Sequence, residues 1–340
     1  MDKKQKSMWQ LAFLAFLIIA TVLIIRHQQD MPYQQDSGMV FGTVYNITYQ
    51  SDQSLKKRIE EELQKVDNAL SPFNEHSIIS HINRNEETTL NNMFMDVFQL
   101  AQQISQETNG AFDITVAPLV NAWGFGFEKG TAPTPHAIDS IMKTVGYEKV
   151  SLTAGHIQKK DPRIKLDCSA IAKGYGSDVV ARLLRKEGIQ NFMVEIGGEI
   201  VTSGISPKRA PWRIGVTKPN DDSLNVSQEL QTVLNVTDKA MATSGNYRNF
   251  YYKNGRKYAH TINPKTGHPV QHNILSATVI APSCAIADAY ATSFMVMGLS
   301  GAKEILQKHP ELMAYLIYND EHGNYAVWYS PSMRDKIIGE

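Results

Sequence analysis

Two hydrophobic periodicities alternate along this chain, and that alternation restricts its fold more than any other feature. Leu55, Ile59, Leu63, Val66 and Leu70 recur every three or four residues, which sets one apolar stripe on a helix over 55–70. Val97, Leu100 and Ile104 repeat the pattern over 93–108, and Asn109-Gly110 then ends the helix with residues that tolerate positive φ. Between and after these stretches come short runs rich in β-branched and aromatic residues. Those at 40–49, 149–152, 164–167, 192–196, 212–217, 231–236 and 276–281 read as strands. Helices are expected over 172–186, stopped by Gly188, then over 285–297 and 301–309, with a strand pair across 315–329. No repeat of fixed period runs through the chain. The mixture points to an α+β protein, with mixed α/β sheets and packed helices, rather than a bundle or a sandwich. The polar stretch 221–229 reads as a loop insertion.

The N-terminus is of another kind. Residues 11–25 are apolar apart from Thr21, and Met8 and Trp9 extend the run to roughly 15 to 18 residues, near the lower limit for a spanning helix. Lys3, Lys4 and Lys6 precede it, and Arg26 and His27 follow. By the positive-inside rule this predicts an uncleaved signal anchor over 1–30, with the N-terminus in the cytoplasm. The expectation is one N-terminal transmembrane helix in the cytoplasmic (inner) membrane, single-pass, with the body of the chain on the extracytoplasmic, periplasmic side. A cleaved signal peptide is the competing reading, but no A-x-A-like site follows the run. The stretch 28–37 is polar, with Pro32 and several glutamines; 31–37 reads as a linker, and 38–340 as one domain without an internal boundary.

The chain as a whole is 42% hydrophobic and 20% charged, the composition of a folded protein, which argues against disorder of the body. The formal net charge is zero, and no basic run is interleaved with aromatics, so a nucleic-acid partner has no electrostatic support. The 2 cysteines, Cys168 and Cys284, exclude a disulfide framework and follow no metal-ligand spacing. They read as small buried apolar residues, with a single bridge between them as the alternative that spacing leaves open.

Five segments carry residue types suited to chemistry. In Asp113 to Gly126, glycines alternate with Trp123 and Phe125 after a proline turn. Such a loop either packs on the core or offers flat apolar surface and close backbone approach to a planar ligand. In Leu166 to Gly176, Asp167, Ser169 and Lys173 surround a helix start, which attracts anions; Asp167 as a plain cap is the alternative. The adjacent glycines of Val194-Glu-Ile-Gly-Gly-Glu199 fit a tight turn or a backbone–ligand approach. The stretch from Thr243, Ser244 and Gly245 to His260 and Gly267 holds hydroxyls, a histidine and an Asn263-Pro264 turn, which suit phosphate binding and proton transfer or, for the histidine, a structural hydrogen bond. Asp288 and Thr292 stand four apart on one helical face. A carboxylate and a hydroxyl so placed suit a hard cation that bridges phosphates, or else a first-turn Asp with a back-bonding Thr.

Each segment alone is open, but their order is specific. Phe41-Gly-Thr43, Leu70-Ser-Pro-Phe73, Ser80-His-Ile-Asn83, Gly110-Ala-Phe-Asp113, Pro118 to Gly126, Leu166-Asp167 with Ala172-Lys-Gly-Tyr175, Gly197-Gly198, Thr243-Ser-Gly245, His260 to Gly267 and Ala287-Asp-Ala289 with Thr292 together resemble the ApbE family across about 38–330. The resemblance implies an ApbE-like fold and an FAD:protein FMN transferase. That activity moves FMN from FAD, with Mg²⁺, to a Thr or Ser hydroxyl of an acceptor protein and releases AMP. It further implies Asp288, Thr292 and the carbonyl of Ala170 as Mg²⁺ ligands. Phe41, Phe73, Asn121, Ala122, Trp123, Gly124, Asp167, Lys173, Ser244, Gly245 and Ile262 are implied around FAD, and His260 in catalysis. Mg²⁺-dependent FAD hydrolysis to FMN and AMP, and non-catalytic flavin binding, are the alternatives. The chain departs from the family pattern at Phe41, where Met is usual, and at Asn263, where Asp is usual.

Overall fold

The computed structural model describes residues 3–126, 132–219, 229–246, 250–253 and 256–338. The first elements are α1 (Lys3–Asp30), β1 (Tyr33–Val40), β2 (Thr43–Gln50), α2 (Lys56–Leu70), α3 (Ile78–Arg84), α4 (Asn92–Glu107), α5 (Ala117–Ala122) and α6 (Pro135–Met142). Next come β3 (Val150–Thr153), β4 (His156–Lys159), α7 (Ser169–Lys186), β5 (Phe192–Ile196), β6 (Glu199–Ser203), β7 (Arg213–Thr217), β8 (Leu230–Asn235) and β9 (Ala240–Gly245). The chain closes with β10 (Phe250–Lys253), β11 (Arg256–Ala259), β12 (Ile274–Ala281), α8 (Cys284–Lys308), β13 (Met313–Asn319), β14 (Tyr325–Tyr329) and β15 (Ile337–Ile338).

An eight-stranded sheet in the order β1-β2-β5-β6-β9-β12-β13-β14 forms the frame, with every neighbouring pair antiparallel. Both faces of its centre are buried, and strand alternation sorts the side chains between them. In β12, Val279 and Ala281 enter the core beneath the helices, while Ile280 enters the core shared with the small sheet β15-β8-β7. Helices α7 and α8 cross the first face, packed on each other and on the central strands. The alanines in the first half of α8, at 285, 287, 289 and 291, are all buried, and such small side chains let the helices lie close to the sheet.

Several expectations need revision. The expected transmembrane helix is not supported: among the described residues, no helix is long and apolar enough to cross a membrane. α1 is helical, but Lys6 and Arg26 bound a segment that also contains Ser7, Gln10 and Thr21, so its apolar part falls short of the ~20 residues a bilayer core requires. The membrane as a partner through this helix falls with it. Residues 33–37, expected within a linker, belong to β1, which pairs with β2 along its whole length. Polar side chains are tolerated there because β1 is an edge strand, and the Tyr49 hydroxyl donates to Asp36 at 2.6 Å. Residues 164–167 form no strand. The side-chain amide of Asn83 occupies both backbone groups of Leu166, donating to its carbonyl at 2.8 Å and accepting from its N–H at 2.7 Å. The helices expected at 285–297 and 301–309 run together as α8 across a kink at Gly298, whose φ of 76° is open to glycine. Of the polar stretch 221–229, residues 221–228 lie outside the described residues. Cys168 and Cys284 are both buried and free.

Candidate active site

The site is built where α7 and α8 cross. The Gly174 N–H of α7 donates to Asp288 Oδ2 of α8 at 3.1 Å. One turn further along α7, the Asp178 carboxylate accepts the first N–H groups of α8, from Cys284 at 2.8 Å and Ala285 at 2.9 Å. Asp178 thus satisfies two buried donors at a helix start, where the helix dipole also favours an anion. Asp178→Ala is expected to lower stability by about 2 kcal/mol, read from urea unfolding, because both donors lose their acceptor.

Asp288 is only 3% exposed, and burial pushes its carboxyl above the usual range, against the opposing pull of Lys173 and the Gly174 N–H. Thr292, one turn on, shares a hydroxyl–hydroxyl hydrogen bond of 3.1 Å with Ser244 of β9. Lys173 reaches Glu199 at the head of β6, with Nζ 2.5 Å from Oε1. Burial raises the Glu199 carboxyl, with Lys173 acting against it and Asp288 adding to it. For Lys173, burial favours the neutral amine, but the charges of Asp288 and Glu199 prevail and hold it protonated. Two buried acidic side chains therefore face one ammonium, and burial alone holds them toward the neutral form, so a bound cation would favour their ionisation.

A divalent metal fits this donor set. Among the described residues no three His, Cys, Asp or Glu side chains gather into a metal cage. Mg²⁺ does not require one, since it takes one or two protein oxygens and completes its shell with water and phosphate. Asp288 and Thr292 present a carboxylate and a hydroxyl on one face of α8, and Ala170 lies in the first turn of α7. Asp167 is engaged locally: its Oδ1 accepts the N–H and the hydroxyl of Ser169, the plainer capping role.

Beside the charged cluster opens a recess lined by Phe41, Leu70, Pro72, Phe73, Ala172 and Lys173. Phe41 sits in the β1–β2 turn with a φ of 51° and lays its ring against α7 at Gly176. Phe73 is 70% exposed, so a face of its ring is open to a flat ligand. Lys173 joins this apolar recess to the charged cluster.

A second group comes together around Trp123. Asn121 and Ala122 end α5, half-buried, and Gly124 follows with a φ of 80°. Trp123 donates from its ring nitrogen to the Gly267 carbonyl at 2.8 Å and stacks on Tyr258 at 5.6 Å. Tyr258 stacks on Tyr251, and Tyr251 on Phe125, whose ring meets His260 edge-on at 6.5 Å. Ile262 is buried in the same cluster and bridges to Pro269. Asn263 accepts the Lys265 N–H at 2.9 Å in the following turn, a role an Asp oxygen fills equally well.

The end of β9 links the two groups. Ser244 touches Thr292, and Asn246, two residues on and thus about 7 Å along an extended chain, accepts the Thr261 hydroxyl at 2.6 Å, next to His260. Sequence spacing does not point to Glu199 or Asp178 as site residues. Glu199 stands in the Gly-Gly turn motif, but nothing in its local sequence announces that it is 2% exposed and paired with a lysine 26 positions earlier.

A family model described as the ApbE family matches residues 41–317. The FAD:protein FMN transferase of Vibrio cholerae serotype O1 is 36% identical over 303 residues, covering 85% of this chain and 87% of that enzyme. The enzyme of the same name from Escherichia coli K12 is 32% identical over 317 residues, 89% of each chain. Among solved structures, the flavin transferase ApbE from Vibrio cholerae superposes with a TM-score of 0.82 at 33% identity, covering 90% of this chain and 99% of that one. The apo form of the Pseudomonas stutzeri flavinyl transferase ApbE gives 0.81 at 26% identity, covering 91% of this chain and 98% of that one.

Proposed function

The chain belongs to the ApbE family, and we propose that it transfers FMN from FAD to a hydroxyl of an acceptor protein. The observation that carries this reading is the buried Asp288, with half-buried Lys173 ion-paired to Glu199 near it, beside an apolar recess with an exposed Phe73. A dinucleotide with a flat ring and a pyrophosphate demands that combination: aromatic surface at one end, and a cation site with a fixed ammonium at the other.

In this reading the acceptor is a Thr or Ser hydroxyl, and its oxygen attacks the phosphorus on the FMN side of the pyrophosphate. The new P–O bond forms as the bond to the AMP oxygen breaks, and AMP leaves. Asp288 and Thr292, with the Ala170 carbonyl, would hold Mg²⁺, which when bound neutralises pyrophosphate charge. Lys173 supplies a further positive charge toward the phosphates. Phe41 and Phe73 flank a planar ring. Asn121 to Gly124, Asp167, Ser244, Gly245 and Ile262 complete the walls. His260 takes the hydroxyl proton, a task an Asp288 bound to metal performs poorly.

The direct test incubates the chain with FAD and Mg²⁺, with and without an acceptor protein. Covalent flavin fluorescence on the acceptor band in a denaturing gel is the expected result. Free FMN and AMP alone, with the acceptor unlabelled, would sink transfer in favour of hydrolysis. His260→Ala is expected to slow the labelling rate by about 10²- to 10⁴-fold at saturating FAD, with FAD affinity little changed. An equal loss in FAD affinity would show that His260 binds rather than moves a proton.

A further inference from the structure

Glu199 is not accounted for by the reaction above, and its geometry is unusual. It is 2% exposed and follows directly on the Gly197-Gly198 turn. Its backbone carbonyl accepts the Ser177 hydroxyl at 2.9 Å, which ties the head of β6 to α7. Oε1 holds Lys173 at 2.5 Å, yet Oε2 is buried and has no hydrogen-bond partner among the described residues. An ion pair kept for stability alone is a poor explanation of that arrangement. Buried pairs are replaced by apolar residues at little or no loss, and buried oxygens in native cores are almost always satisfied.

Lys173 has two carboxylates to choose from. Its chain neighbour Gly174 donates to Asp288, so Asp288 stands against α7 one residue from the lysine. A lysine stem is flexible and carries a compact charge, so without a competitor it can swing onto Asp288. That contact would cancel the negative charge a divalent cation needs.

We infer that Glu199 is a positioning residue that keeps the Lys173 ammonium off Asp288, leaving that carboxylate open to a cation and the ammonium turned to the recess. This role rests on the reading of Asp288 as a cation ligand. It explains why a rigid, buried glutamate is set at the head of β6, and why only one of its oxygens is used.

The test titrates Mn²⁺ into the nucleotide-free full chain and follows loss of the free-ion paramagnetic resonance signal. Glu199→Gln is expected to weaken Mn²⁺ binding by about tenfold or more, as Lys173 turns to Asp288. Adding Lys173→Met to that variant is expected to restore the affinity, because the competing ammonium is gone. Unchanged Mn²⁺ affinity in Glu199→Gln overturns the inference. So does a loss that Lys173→Met fails to repair, since Glu199 would then act on the cation itself or through the fold. A wild-type chain that takes up no Mn²⁺ overturns the cation reading of Asp288, a distinct failure visible before any variant is made.

Discussion

Asp288→Asn is expected to reduce Mg²⁺-dependent flavin transfer by about 10³-fold or more while leaving the fold intact. The substitution is nearly isosteric, and an amide oxygen can still accept the Gly174 N–H that now bonds Oδ2 at 3.1 Å. What disappears is the negative charge. Phosphoryl chemistry depends on fixed charge at the reacting group, and the loss of a single well-placed group costs orders of magnitude in rate. Stability should move the other way. Burial raises the folded-state carboxyl of Asp288, so the folded chain holds that proton more tightly than the unfolded one. Ionising it therefore costs stability, and the cost grows as pH rises out of the ordinary carboxylate range toward the raised value. Asparagine carries no such cost. At neutral pH and without metal, the variant is expected to melt at the same temperature as the wild type or above it. Mg²⁺ should raise the melting temperature of the wild type only. A variant that melts well below the wild type would mean that the carboxylate is a structural group, and the loss of activity would then say nothing about metal.

The parts of this protein that are legible in its sequence are those with local causes. The stripe from Leu55 to Leu70 buries Ile59, Leu63, Val66 and Leu70 as expected, because helical spacing alone decides which face is apolar. The strands at 192–196 and 276–281 are legible for the same reason. The missing strand at 164–167 is not, because a side chain about 80 residues away, Asn83, supplies the partners that a neighbouring strand would have supplied. The first strand reads as linker because an edge position removes the need for apolar residues. At the site, sequence spacing places Asp288 and Thr292 on one helical face, and order along the chain carries the family resemblance. Neither can reveal the crossing of α7 and α8. Asp178, Glu199 and Lys173 acquire their meaning only there, where burial brings three acidic side chains and one ammonium together.

That crossing also gives the second large effect. Gly174→Ala is expected to destabilise the chain by about 3 kcal/mol and to impair the cation site together with the fold. A Cβ at this position would lie 2.4 Å from the Cys284 carbonyl oxygen, 2.7 Å from its carbon and 2.9 Å from the Ala285 nitrogen. These are backbone atoms at the start of α8, and they cannot turn aside as a side chain does. Helix propensity favours alanine over glycine by up to about 1 kcal/mol, so the sign of the effect tells whether propensity or crowding prevails. Crowding against backbone outweighs propensity here, since relief requires α7 and α8 to move apart. Separation would stretch three contacts at once: Gly174 to Asp288, and Asp178 to the N–H groups of Cys284 and Ala285. The midpoint of urea unfolding should fall, and the Mg²⁺ concentration for half-maximal transfer should rise, although no metal ligand has changed. A Gly174→Ala chain as stable and as active as the wild type would show that the two helices have slack at their crossing. The close approach would then not be what holds Asp288 in place.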